Sequence, residues 1–231
     1  IEACAVDGPA EPEALAAGDG VEWTEILPRS PLRADAENPF AIAPRGRATH
    51  LRFNIHPDGG VARLRVYGAP VPDPRLRPGV TADLAALENG GMVVGCSDMF
   101  FGHRHNLILP GRSTHMGDGW ETRRRRGRGH DWIIVRLAAR GLIRRIEVDT
   151  DHFKGNAPES CTVEACDQPD VTPERLSNDD VRWTTLLPRT PLQPDVQHRF
   201  EVSARPATHA RLAIYPDGGI ARLRLFGTVT G

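Results

Sequence analysis

A long internal repeat constrains this chain more than any other feature. Ile1-Glu2-Ala3-Cys4 returns as Val163-Glu164-Ala165-Cys166, and Trp23 with Leu27-Pro28-Arg29-Ser30-Pro31-Leu32 returns as Trp183 with Leu187-Pro188-Arg189-Thr190-Pro191-Leu192. Thr49-His50 returns as Thr208-His209, and Pro57-Asp58-Gly59-Gly60-Val61-Ala62-Arg63-Leu64-Arg65 as Pro216-Asp217-Gly218-Gly219-Ile220-Ala221-Arg222-Leu223-Arg224. The offset drifts only from 162 to 159, too long for a solenoid repeat, and this marks a duplicated domain. Two whole copies at that period need roughly twice 160 residues, and the chain has 231. The second copy reads as complete, while the first enters at its midpoint, with no counterpart of Asp83–Thr162 in front of it. A start at Ile1, inside an expected strand, leads to the expectation of a truncated or misread gene, or an expressed fragment. It also leads to an unsatisfied sheet edge on the first half-domain and hence a homo-oligomer. Prolines 70, 72, 74 and 78 form a stiff connection, and the expected domains are 1–74, the second half of one copy, and 75–231, a whole copy.

The 23 glycines and 20 prolines suit short strands joined by turns. His130–Leu137, Leu142–Asp149 and Cys161–Cys166 carry apolar runs or period-two alternation, and Leu51–Ile55 and Ala210–Ile214 form an equivalent strand pair. Each of that pair runs into Pro-Asp-Gly-Gly, where proline presets one φ and glycine accepts positive values. Val80–Leu87 is the one short helix suggested. Many antiparallel strands without βαβ units predict an all-β fold, tandem jelly-roll sandwiches of which the first lacks its N-terminal half. A net charge of −1 gives no basis for a nucleic acid or acidic-membrane partner, and no apolar run reaches a membrane-spanning length. No leader pattern is visible at Ile1, and the four cysteines match no zinc spacing. A cytoplasmic protein with reduced, packed thiols is expected.

Several motifs are long and unusual: Asp118-Gly119-Trp120-Glu121-Thr122-Arg123-Arg124-Arg125-Arg126, Gly129-His130-Asp131-Trp132, and Val148-Asp149-Thr150-Asp151-His152-Phe153-Lys154-Gly155-Asn156 followed by Pro158-Glu159-Ser160. With the twofold Pro-Asp-Gly-Gly-[Ile/Val]-Ala-Arg-Leu-Arg, they resemble the allantoicase family over essentially the whole chain. The resemblance implies tandem jelly rolls like galactose-binding and other carbohydrate-binding sandwiches. It also implies a ureohydrolase that converts allantoate and water to ureidoglycolate and urea in allantoin and purine breakdown.

Allantoate carries one carboxylate and two ureido groups on one carbon. Holding it calls for guanidinium forks, and releasing urea calls for proton transfer. If Trp120–Arg126 is a strand, Glu121, Arg123 and Arg125 share one face, though the run also reads as a solvated charge stripe. His130, with a pKa in the neutral range, is either a proton carrier or a turn cap. Asp149, Asp151, His152, Asn156 and Glu159 crowd one loop after a strand, which reads as a functional loop or as an Asp/Asn-rich turn. The catalytic candidates are therefore Glu121, His130, Asp149, His152 and Glu159, and the substrate-binding candidates Asp118, Trp120, Arg123, Arg125, Asn156 and Arg222. Trp120 also reads as core packing, and Arg222, whose motif occurs in both copies, as part of a structural hairpin. His103 and His105 would share one face of a strand but lack a third ligand at fixed spacing, so no cofactor or metal is assigned. The alternatives are a sandwich that binds a sugar or ureido ligand without chemistry and an inactive truncated member of the family.

Overall fold

A computed structural model describes residues 1–6, 12–18, 20–43, 46–68, 71, 73–177 and 181–230. The chain divides into two compact units, Ile1–Gly68 and Ala69–Gly231. No helix among the described residues is long and apolar enough to cross a membrane.

The first unit is a three-stranded antiparallel sheet. Strand β1 (Glu2–Cys4) lies between β2 (Thr24–Glu25) and β3 (His50–Arg52), and helix α1 (Pro12–Ala17) follows β1 in the chain. The second unit contains β4 (Thr81–Asp83), β5 (Met92–Cys96), β6 (Trp120–Glu121), β7 (Asp131–Asp149), β8 (Ser160–Cys166), α2 (Pro173–Leu176), β9 (Thr184–Pro191), β10 (Gln197–Tyr215), β11 (Gly219–Ile220) and β12 (Arg222–Val229). Strands β7 and β10 are each 19 residues long and pair antiparallel throughout, interrupted by bulges. The first part of β7 and the last part of β10 join β5, β8 and β9. The last part of β7 and the first part of β10 join β12 and β4. The long strands thus serve both layers of a sandwich, the arrangement of a jelly roll.

The sequence pattern suggests two strands over 130–149, but they are one, because the ladder steps from Ala207↔Gly141 to His209↔Arg136 and absorbs the intervening residues. Between the layers Ile133, Val135, Ile143, Ile146, Val148, Leu212, Ile214, Leu223 and Leu225 are fully buried. Each such side chain contributes about 1.5–3 kcal/mol of burial free energy. Cys161, beside them, is a free thiol that burial pushes up to about 12. The helix expected over Val80–Leu87 is instead β4 followed by a single 3-10 turn, Leu87–Asn89. Asp83 Oδ1 accepts the N–H groups of Ala85 (3.1 Å) and Leu225 (2.9 Å), which turns the chain and pins it to β12.

The duplication reaches single hydrogen bonds. Cys4 pairs with His50 and Glu2 with Arg52 in the first unit; Cys166 pairs with His209 and Glu164 with Arg211 in the second. Arg52 Nε donates to Glu2 at 2.8 Å and stands 4.6 Å from the Trp23 ring; Arg211 Nε donates to Glu164 at 2.9 Å and stands 4.6 Å from the Trp183 ring. Burial does not repeat. Ile55, Val61, Leu64 and Val66 are exposed, while their counterparts Ile214, Ile220, Leu223 and Leu225 are fully buried. In the second unit the covering side chains come from residues 84–148, a stretch with no counterpart in the first.

Candidate active site

The Pro216–Gly219 turn and the residues just after it hold the loop after β6, the loop after β7 and the end of β7 together. Gly218 N donates to Thr122 Oγ1 (3.2 Å), Thr122 N to Gly218 O (3.1 Å), Arg125 N to Asp217 Oδ2 (2.7 Å), Gly219 N to Asn156 O (2.9 Å), and Ala221 N to Asp149 O (2.7 Å). Gly218 has φ +135°. Gly219 is required for space rather than φ, since a Cβ there would lie 1.9 Å from Phe153 Cε1. Only glycine lets the 150–156 loop lie this close.

Beside this turn is a cleft of about 320 Å³, walled by Asp83 on β4, Glu147 and Asp149 on β7, Arg222 and Arg224 on β12, and Arg112 on the loop before β6. Arg222 is held almost out of solvent. Its Nη1 donates to Asp118 O (2.5 Å) and Ala221 O (2.7 Å), its Nη2 to Asp118 Oδ2 (3.0 Å), and its Nε is buried without a partner. Burial pushes the Asp118 carboxyl up, but the bonds from Arg222 and the Thr114 N–H outweigh it and hold the group below its usual value. Asp149 is 2% exposed, with Oδ1 accepting Asp151 N (2.9 Å) and Oδ2 buried without a partner. Arg224 Nη2 donates to Leu109 O and Gly111 O, both at 2.6 Å, while its Nη1 has no hydrogen bond and stands 3.6 Å from Asp83 Oδ2. Burial raises the Asp83 carboxyl to about 6, against the opposing pull of the Leu225 N–H, Arg224 and the Ala85 N–H. Glu147 is paired to Arg199 (3.3 Å) and Arg145 (3.5 Å).

The sequence candidates are spread over several places in the second unit. Asp149 and Arg222 line this cleft, and Asp118 joins it through Arg222. His152 is coupled at one remove. Its Nε2 lies 3.1 Å from Ser113 O and 3.9 Å from Asp151, whose carboxylate takes Arg112 at 2.8 Å. Glu121 and Asn156 form their own pair, Asn156 Nδ2 donating to Glu121 Oε1 at 2.6 Å.

Arg123 and Arg125 line a separate cleft, also about 320 Å³, with Ser97, Asp98 and Asp131. There Arg123 is fixed to Asp98 (2.9 Å) and Arg125 to Asp131. The expected strand over Trp120–Arg126 ends at Glu121, so Glu121 and the two arginines point to different partners rather than to one face. His130, its pKa lowered by burial and by the charges of Arg211 and Arg125, lies with its ring 4.8 Å from that of Tyr215 and tilted 38° to it. Glu159 is exposed, its backbone fixed to Tyr215 and Leu192. Trp120 is fully buried in the core and donates Nε1 to Asp98 O (2.8 Å), so it positions that loop from behind and presents no surface to a ligand.

The residues that sequence reasoning passes over are Asp83, Arg112 and Arg224. Arg224 stands in the repeated motif and was readable as a site residue beside Arg222; Asp83 has no local signal. His103 precedes a 3-10 turn rather than lying in a strand, with its ring 5.0 Å from that of His105. Among the described residues no three His, Cys, Asp or Glu side chains converge as a metal site.

The allantoicase repeat model matches residues 1–71 and 82–230. A probable allantoicase of Nocardia farcinica is 49% identical over 233 residues, covering all of this chain and 67% of that protein. A probable allantoicase of Streptomyces avermitilis is 50% identical over 232 residues, covering all of this chain and 59% of that protein. The crystal structure of allantoicase from Saccharomyces cerevisiae is 40% identical and superposes with a TM-score of 0.62 over 74% of this chain and 49% of that one. The chain therefore spans about three fifths of the length of such curated relatives and about half of that solved structure.

Proposed function

The chain belongs to the allantoicase family, and from that premise we propose that it hydrolyses allantoate to ureidoglycolate and urea in the cleft beside the Pro216–Gly219 turn. One observation carries the reading: Arg222, Arg224 and Asp149 line a single cleft, and each keeps one buried polar atom without a hydrogen bond, Arg222 Nε, Arg224 Nη1 and Asp149 Oδ2. Buried polar atoms are ordinarily satisfied, so open donors and an open acceptor converging on one cavity are positions for a ligand's groups. Arg222 and Arg224 suit the substrate carboxylate. Asp149 suits a water, taking one proton while the oxygen joins the central carbon; the C–N bond breaks and urea leaves with a proton at its nitrogen. The second cleft suits an anion through Arg124 and Arg126, but both its carboxylates are occupied by arginines and it offers no open base. A cytoplasmic setting is proposed on the four free cysteines, and further copies of the chain as partners on the exposed Ile55, Val61, Leu64 and Val66 of the first unit.

The experiment is urea release from allantoate by the purified chain, wild type and Asp149→Asn. Release by the wild type that falls roughly 10²–10⁴-fold in the variant, with the melting temperature retained, is expected. An Asp149→Asn chain as fast as wild type removes Asp149 from the chemistry, and a wild type without turnover removes the substrate.

A further inference from the structure

We infer that Asp83 is a further catalytic residue of this cleft: it takes up a proton when the substrate anion enters and delivers it to the nitrogen of the departing urea. The inference rests on the proposed allantoate chemistry and supplies the acid which that chemistry otherwise lacks.

The geometry singles out Asp83 among the acidic groups. Glu147 is neutralised by Arg145 and Arg199, Glu88 is exposed, and Asp149 is the open acceptor. Asp83 differs in having its two oxygens in different environments. Oδ1 is committed to two backbone N–H donors, Leu225 and Ala85. A proton therefore goes to Oδ2, which stands 3.6 Å from Arg224 Nη1 on a residue that lines the cleft. The side chain is 11% exposed and lines the cleft.

Charge explains why the proton arrives with the ligand. Asp83, Glu88, Glu147 and Asp149 face Arg112, Arg222 and Arg224 across the cleft. A substrate carboxylate adds one more negative charge to that balance. Protonating a carboxylate is the least costly compensation, and Asp83 is the one already raised by burial. The substrate carboxylate, held by Arg222 and Arg224, also draws Arg224 away from Asp83, weakening the attraction that favours the ionised form. Once protonated, Asp83 Oδ2–H donates as the C–N bond lengthens, the bonding pair leaving with the urea nitrogen. Water, deprotonated at Asp149, supplies oxygen to the carbon. Asp83 ends ionised and Asp149 protonated, so one proton passing between them through solvent restores the starting state and the overall change is one water consumed.

The chain itself can be tested in two ways. Calorimetric binding of ureidoacetate, which keeps the carboxylate and one ureido group but has no second urea to lose, is measured at pH 7 in two buffers of different ionisation enthalpy. The wild type is expected to take up a substantial fraction of a proton per ligand and Asp83→Asn essentially none. Urea release by Asp83→Asn is expected to fall at least roughly 100-fold at a retained melting temperature, since asparagine keeps an acceptor for Leu225 and Ala85. Equal proton uptake in both chains, or an Asp83→Asn chain that turns over allantoate like wild type, overturns the inference. A wild type that releases no urea but shows Asp83-dependent uptake overturns the substrate reading and the delivery of the proton to urea, and supports the uptake at Asp83. A wild type that neither binds ureidoacetate nor releases urea overturns both.

Discussion

His209 illustrates how one residue type takes opposite fates in two copies of a motif. It is 3% exposed, its Nδ1 lies 3.0 Å from Thr208 Oγ1, and burial, with Arg136 adding to it, lowers its pKa to about 4. His50 keeps the same threonine contact at 2.9 Å but is only half-buried. A histidine whose folded pKa lies below its unfolded value near 6.5 is neutral in the fold. The unfolded chain therefore binds the extra proton between those values. The stability this group contributes is present above about pH 6.5 and is lost as pH falls toward 4, on the order of 2–3 kcal/mol. Thermal melts of wild type and His209→Gln from pH 7.5 to 4.5 test this. The variant is expected to lose distinctly less stability on acidification, and parallel curves would reject the assignment.

Among the elements, the Pro-Asp-Gly-Gly turn was readable before any coordinates. The sequence explanation, glycine tolerating positive φ, holds for Gly218, but Gly219 serves the approach of the Phe153 ring. The duplication supplies an internal control, because nothing lies within 4 Å of a Cβ at the equivalent Gly60. Gly219→Ala is expected to overpack the turn at a cost of about 1–3 kcal/mol and to reduce urea release, because the turn spaces the Asp149 and Asn156 segments. Gly60→Ala is expected to stay within about 0.5 kcal/mol of wild type. Chemical denaturation of the two variants compares them directly, and equal effects would show that the Phe153 contact does not limit the turn. The charged run 120–126 taught the opposite lesson. Period-two alternation sets Trp120 and Thr122 inward as a strand would, yet pairing stops at Glu121, and the arginines are directed by Asp98, Asp131 and Asp217 from other segments.

Across the molecule, ladder pairing is concentrated in the second unit. There β7 lies between β10 and a second strand over residues 133–136 and over most of 141–149, whereas the first unit has strands of only two and three residues. Hydrogen exchange is expected to find slow amides in β7, β10 and β12 and fast exchange over residues 53–68, in which no strand forms. Slow exchange in that stretch would mean that it is paired in solution. The sequence by itself determined the duplication, the all-β character, the Pro-Asp-Gly-Gly turn of the second unit and the family, and it named Asp149 and Arg222, which the fold brings to one cleft. These are written in local periodicity, in turn chemistry and in identity at a fixed offset. It did not determine which charges share a cavity. Arg222 meets Asp118 across 104 positions, and Asp83 meets Leu225 across 142. Local pattern carries no record of such distant encounters. Whether a carboxylate is an ion-pair partner, an open base or a buried acid depends on the solvent excluded around it and on the donors brought to it, and packing alone supplies both.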